Sequence, residues 1–365
     1  MGDDSQSRSG EALKIEKVTT ELVRLQPPRP LASAGARVSS LDYVLVQLAT
    51  ADGLEGLGYA CIYAGPEAGA LRVLLDDLAD LVRGEDVRFR GRVWQKLRRA
   101  LASLGQAGMS TSALSAYDLA LWDLAGKAAG LPVYQLIGAV RDRLPVYYSS
   151  LFLNLSEAEL VAEAEHARSQ GFRYVKMRCG RPTIAEDVRR VRAVLEVLGD
   201  DARLMVDCSR GFTAKRAIQL GRQLDPLGLV WIEEPTPPDD LTGSAQVAAA
   251  LDTTVASGES CYTAGGVRAL IEHRAADLVQ LDLQRMGGLT GWLEAAALCG
   301  AYSLPVSNHF FLDVTAHALC ARPSEPLGEY IPWPSPFEND ARVIAGEWVM
   351  GEAPGLGLTR GPGGG

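Results

Sequence analysis

At seven places in this 365-residue sequence an ionisable side chain closes a short apolar run: Lys176 with Arg178, Asp207, Glu233, Glu259, Asp282, His309 and Glu329. Asp207, Glu233 and Glu259, if brought to one point, would repel one another and resist ionisation unless a cation neutralised them. Carboxylate oxygens with room left for water and substrate oxygens suit Mg2+ best. The run Leu229-Val230-Trp231-Ile232 drives into Glu233 and Glu234 before Pro235 stops it, and an ionised carboxylate there costs several kcal/mol unless paired or metal-bound. Strand alternation turns Glu233 to the face of Trp231 and Glu234 to the other, which makes Glu233 the ligand and Glu234 a supporting carboxylate. Singly, each residue has a plainer reading: Asp207 as a helix cap, Glu259 in a turn, His309 as a satisfied core histidine. Together they point to chemistry.

The elements that must position them are short strands, read at 145–151, 172–178, 203–208, 229–234, 254–258, 277–282, 304–308 and 328–331. Amphipathic segments such as Glu157 to Gln170 and Ala185 to Leu198 separate them. Strand and helix alternating through eight strands is the pattern of a parallel barrel, whose chemistry collects at the strands' C-terminal ends. An open doubly wound sheet is the rival. Before it, strands at Ile15 to Leu25, Tyr43 to Ala49 and Glu55 to Ala60 read as an antiparallel meander. Helices follow at Ala68 to Leu81, Phe89 to Ala102 and Ser112 to Ala129, the last ended by Gly130-Leu131-Pro132. The expected division is a polar, disordered tail over 1–12, an α+β domain over 13–140, the barrel over 141–335, and a segment over 336–365 that returns to the first domain.

A hydrophobic content of 47% suffices for one large and one smaller core. A net charge of −9 disfavours nucleic acid and anionic membranes as partners. The six cysteines are scattered without a C-x-x-C pair, which fits reduced thiols in the cytoplasm, and no run approaches membrane-spanning length. The first residues lack the apolar segment of a signal peptide.

Val206-Asp207, Trp231-Ile-Glu-Glu-Pro235, Gly258-Glu259, Asp282 followed by Met286-Gly-Gly-Leu-Thr-Gly-Trp292, Ser307-Asn-His309 and Phe172-Arg-Tyr-Val-Lys176 resemble the mandelate racemase subgroup of the enolase superfamily. The resemblance runs through the barrel and extends to Leu75 to Leu81 and Ala120 to Lys127. It implies an N-terminal capping domain on a modified TIM barrel, (β/α)7β, with Mg2+ on Asp207, Glu233 and Glu259. It also implies abstraction of the proton α to a carboxylate through a metal-stabilised enediolate. Asp282 and His309 resemble the family's Asp-His dyad, Glu329 its substrate-carboxylate acid, and Lys176 the first lysine of its Lys-x-Lys motif. Closed homo-oligomers are implied as well.

The departure is Arg178, standing where the second lysine is expected. Racemisation needs a base on each face of the α-carbon, and a guanidinium does not deprotonate. His309 alone favours loss of a β-hydroxyl, with Arg178 as a clamp on carboxylate or hydroxyl. The expected activity is therefore dehydration of a hydroxylated sugar acid by a lyase. The alternatives are an epimerase or racemase of a 2-hydroxy acid, using Lys176 at a depressed pKa with His309, and a catalytically silent sugar-acid-binding protein. Ser209 and Arg210, in place of a common amide, supply further substrate contacts. In the capping loops Arg29, Arg37 and Tyr63 are the candidates to touch a small carboxylate ligand.

Overall fold

The computed structural model describes residues 13–361 apart from 29, 35–36, 64–65 and 325. The tail expected over 1–12 and Arg29 lie outside these residues. Strands Ile15–Leu25, Leu41–Thr50 and Glu55–Tyr63 form an antiparallel meander. Helices Ala68–Val82, Arg90–Ala100 and Met109–Ala129 pack on it. The last strand lies directly on the last helix: a Cβ at Gly58 would stand 2.1 Å from the Ala116 carbonyl oxygen. Only glycine permits that approach.

Helix Met109–Ala129 is apolar nearly all round because it has two interiors to fill. Ala116, Tyr117 and Leu121 face the meander's core, whereas Leu119 and Trp122 join the barrel's. Its seam to the barrel is polar and specific. Asp118 accepts from the Thr290 amide at 2.8 Å and hydroxyl at 2.6 Å, and Trp122 donates to the same hydroxyl at 2.9 Å.

Eight parallel strands, Arg143–Leu151, Tyr174–Arg178, Arg203–Asp207, Ile232–Glu233, Val255–Ser257, Leu278–Asp282, Val306–His309 and Gly328–Tyr330, alternate with seven helices among the described residues. Neighbours pair in sequence order from the first to the seventh, and the eighth pairs with the first. The barrel is therefore closed, and the open-sheet rival is excluded. Between the seventh and eighth strands side chains replace the ladder. Ser307 Oγ donates to the Leu327 carbonyl at 2.6 Å, and the Glu329 amide donates to Asn308 Oδ1 at 2.8 Å. Local signals set the helices' starts: Ser156 with Glu159 and Thr183 with Glu186 form reciprocal capping boxes. Inside the barrel Tyr147, Met205, Trp231 and Ala256 make an apolar floor, with the Tyr147 and Trp231 rings edge to face at 5.2 Å.

The fourth strand spans only Ile232–Glu233, shorter than the six residues expected, and it ends where Glu234 adopts a left-handed φ of 41° ahead of Pro235. Beyond the eighth strand, Glu347–Val349 pairs antiparallel with the start of the first barrel strand. The Leu356 amide then donates to Asp123 at 2.8 Å, and Arg360 pairs with Glu21 in the meander. No described helix is long and apolar enough to cross a membrane.

Candidate active site

Above the apolar floor, Lys176 projects from the second strand and is only 1% exposed. Its ammonium pairs with Glu233 and, at 2.7 Å, with Glu329, and it stands 5.2 Å from the centre of the Tyr147 ring. Burial would lower its pKa, but the two carboxylates outweigh burial and hold it well above the ordinary value. With these two partners in place the direction is opposite to the depressed pKa that a base role for Lys176 would call for.

Glu233 is filled on both oxygens, by Lys176 and by the Trp231 indole N–H at 3.0 Å. One lysine thus serves two carboxylates. Burial, then the charges of Asp207 and Glu329, push Glu233 upward against the pull of Lys176, whereas Glu329 is driven down despite burial by Lys176, His309 and Arg178. Glu329 also accepts from Ser149 Oγ at 2.8 Å and the Phe310 amide at 2.9 Å.

Arg178 lies beside Asp207 in register, its Nε 3.2 Å from Asp207 Oδ2 and its Nη1 donating to Ser149 Oγ at 2.9 Å. The other oxygen of Asp207 accepts from the Ser209 amide at 2.6 Å and hydroxyl at 3.2 Å. Glu259 faces two guanidiniums, Arg210 at 3.7 Å and Arg285 at 3.9 Å, and the imidazole of His309, whose Nε2 is 3.4 Å away. Together these overcome burial and lower its pKa. Among the described residues, no three acidic, histidine or cysteine side chains stand in metal-holding geometry. Asp207, Glu233 and Glu259 each face a cationic side chain instead.

The donor set nonetheless suits a hard divalent cation. Three carboxylates stand at or just past the ends of successive strands, and Glu234 adds a buried Oε2 without a hydrogen-bond partner among the described residues. Its Oε1 accepts from Ser257 Oγ at 2.7 Å and the Gly258 amide at 2.8 Å, as a supporting carboxylate would. Burial, then Glu259, pushes Glu234 up to about 7.

His309 ends the seventh strand with Nδ1 2.7 Å from Asp282 Oδ2, while Asp282 Oδ1 accepts from the Arg285 amide at 2.8 Å. That bond places the proton on Nδ1, and Nε2 stands 3.4 Å from Glu259 Oε2 at the wall of a cavity of about 60 Å³. Burial would lower this imidazole's pKa, but Glu259 and Asp282 outweigh it and raise it. Asp207, Glu259, Arg178, Ser209 and Arg210 line the same cavity. Ser209, Arg210 and Phe310 all have left-handed φ, at 45°, 64° and 54°, so backbone strain is concentrated at this mouth.

The capping domain contributes Leu31, Ser33, Val38 and Tyr63 to the cavity wall. Arg37 is exposed on the two-residue strand Arg37–Val38, whose Val38 turns inward in its place. Sequence reasoning missed Ser149, which bridges Arg178 and Glu329, and Arg285, which donates to the Glu259 carbonyl and, at 3.3 Å, to the Tyr63 hydroxyl. A lone serine in an apolar strand carries no signal. Arg285 could have been found from its place three residues after Asp282.

A closed (β/α)7β barrel with acids at successive strand ends and a capping meander over its mouth defines the architecture of the enolase superfamily, and this chain belongs to it. Residues 159–361 match the family model described as enolase C-terminal domain-like, and residues 17–138 match the mandelate racemase / muconate lactonizing enzyme N-terminal domain. The chain is 33% identical over 360 residues to the L-talarate/galactarate dehydratase of Salmonella typhimurium, covering 97% of this chain and 90% of that one. It is 36% identical over 310 residues to a 3,6-anhydro-alpha-L-galactonate cycloisomerase of Streptomyces coelicolor, covering 85% and 86%. The crystal structure of the Salmonella dehydratase liganded with Mg and L-lyxarohydroxamate superposes with a TM-score of 0.93 at 32% identity, covering 99% of this chain and 94% of that one. The L-talarate dehydratase of Polaromonas, complexed with Mg and L-glucarate, gives 0.91 at 33%, covering 96% and 95%.

Proposed function

We propose that this protein dehydrates a hydroxylated carboxylic acid of the sugar-acid class to a 2-keto acid, with His309 as its one base. The observation that carries this reading is the inequality of the three candidate bases. His309 lines the cavity with its Nδ1 held by Asp282, Lys176 is paired with both Glu233 and Glu329, and Arg178 is a guanidinium. Relatives named as an L-talarate/galactarate dehydratase and an L-talarate dehydratase, the latter complexed with L-glucarate, support the substrate class.

In this reading Nε2 takes the α-proton, breaking the C–H bond, while Asp282 steadies the imidazolium through Nδ1. The imidazolium then returns that proton to the β-hydroxyl. The C–O bond breaks, water departs, and the resulting enol ketonises. Arg178, Ser209 and Arg210 hold the carboxylate and neighbouring hydroxyls, and Phe310 and Trp333 keep bulk water out. Asp207, Glu233 and Glu259 would hold Mg2+, which when bound supplies the electrostatic stabilisation that a carboxylate needs as its α-carbon loses a proton.

Epimerisation would need a second base that no side chain at the mouth provides in this arrangement. For the assembly we propose a closed homo-oligomer in the cytoplasm, supported by family likeness and by six cysteines that are all unpaired. The domain division proposed is 13–140, 141–335 and 336–365. Incubation with a sugar-acid library in D2O tests the reaction. A 2-keto acid supports it, whereas deuterium at the α-carbon with inversion and no keto product overturns it.

A further inference from the structure

A second cavity, of about 210 Å³, lies beside the catalytic one and shares Phe310 and Trp333 with it as a party wall. The mechanism makes no use of it. Its remaining walls come from the capping strands, the turn after the seventh barrel strand, and the segment beyond the eighth. The rings of Tyr59 and Phe337 stand 4.7 Å apart within it. Three buried N–H groups of its lining residues, Trp333 Nε1, Asn339 Nδ2 and Trp348 Nε1, have no hydrogen-bond partner among the described residues, and Trp348 as a whole is only 8% exposed. The opposite polarity is present too: Asp313 lines the cavity, both its oxygens accepting from the Tyr59 hydroxyl at 2.7 Å.

These features narrow the occupant. A buried N–H left unpaired is costly, so the three donors call for acceptor oxygens. Water alone answers poorly, since the volume corresponds to about seven waters and aromatic walls offer most of them no partner. An acid is disfavoured, because the cavity is lined by the carboxylates of Asp313 and Glu329 and, among the described residues, by no lysine, arginine or histidine. A cation gains nothing from three N–H donors. A neutral hydroxylated ring meets every requirement: its C–H faces stack on aromatic rings, and its hydroxyls accept from the indoles and amide and donate to Asp313.

We propose that this cavity is a second binding site, for a neutral polyhydroxylated ring of monosaccharide size. The proposal is independent of the dehydratase reading. It is tested by titrating the full-length protein with D-galactose, L-arabinose and L-rhamnose, read by calorimetry and by the fluorescence of Trp333 and Trp348. Saturable binding of at least one sugar, with Kd below about 10 mM, is expected. Trp348→Phe, which keeps the ring and removes the N–H, should weaken that binding about fivefold, and Asn339→Ala should do the same if the first variant misfolds. His309→Asn should bind the sugar as the wild type does. The proposal is overturned if none of the three saturates, if removing the donors leaves affinity unchanged, or if His309→Asn abolishes binding, which would move the sugar into the catalytic cavity. Ordered water alone in a crystal soaked with all three would also overturn it.

Discussion

In the proposed mechanism Arg178 is one residue on which the outcome of the reaction turns. Its guanidinium joins Asp207 to Ser149, and through Ser149 to Glu329, so it organises the mouth without being able to take a proton. Arg178→Lys keeps a positive charge beside Asp207 but introduces an amine that can titrate. We expect dehydration to fall about tenfold and solvent deuterium to enter the α-carbon with partial inversion, read by proton NMR. Wild-type protein should show no such inversion. His309→Asn keeps an acceptor or donor beside Asp282 but removes the base, and keto-acid formation should drop by about 10²–10⁴-fold with an unchanged circular dichroism spectrum. These residues were legible because an ionisable group closing an apolar strand is conspicuous. Ser149 was not, and the fate of Lys176 was invisible because sequence does not show that Glu233 and Glu329 close on it from two other strands.

Among the elements, strand and helix positions were readable from apolar periodicity and from capping residues such as Thr183 and Glu186. Barrel closure was not. It depends on Ser307 and Asn308 replacing a backbone ladder, which no local pattern announces. The helix Leu312–Cys320 offers a pH test. His317 Nδ1 accepts from the Tyr134 amide at 3.0 Å and Nε2 faces the Leu356 carbonyl at 3.3 Å, so the neutral ring ties three segments together. Burial lowers its pKa from 6.5 to about 4. Because the folded pKa is depressed, the unfolded chain binds more protons between those values. The stabilisation is present above about pH 6.5 and lost as pH falls through about 4, on the order of 3 kcal/mol in all. Thermal melts from pH 7 to 4 should show this slope in the wild type. His317→Gln, less stable at neutral pH, should lack that part of it.

For the whole molecule, Asp207, Glu233 and Glu259 are each compensated by cationic neighbours, so the fold does not depend on a metal to neutralise them. Chelation with EDTA should therefore abolish keto-acid formation while leaving the melting temperature within a few degrees, and added Mg2+ should restore the rate. A chain that unfolds on chelation would contradict this. The net charge of −9 offers an anionic substrate no general attraction, so in the proposed reading capture rests on the arginines at the mouth.

The seam between Asp123 and Leu356 joins residues 233 apart in sequence, and it has a consequence for how the protein is made. On a ribosome the helix Met109–Ala129 emerges early, with the Leu119 and Trp122 face that only the barrel can cover. At roughly 5–20 residues per second the last clasping residues follow some 10–40 seconds later. Throughout that interval the nascent chain displays an apolar helix face and an incomplete barrel edge, which makes it a client for chaperones before it is an enzyme.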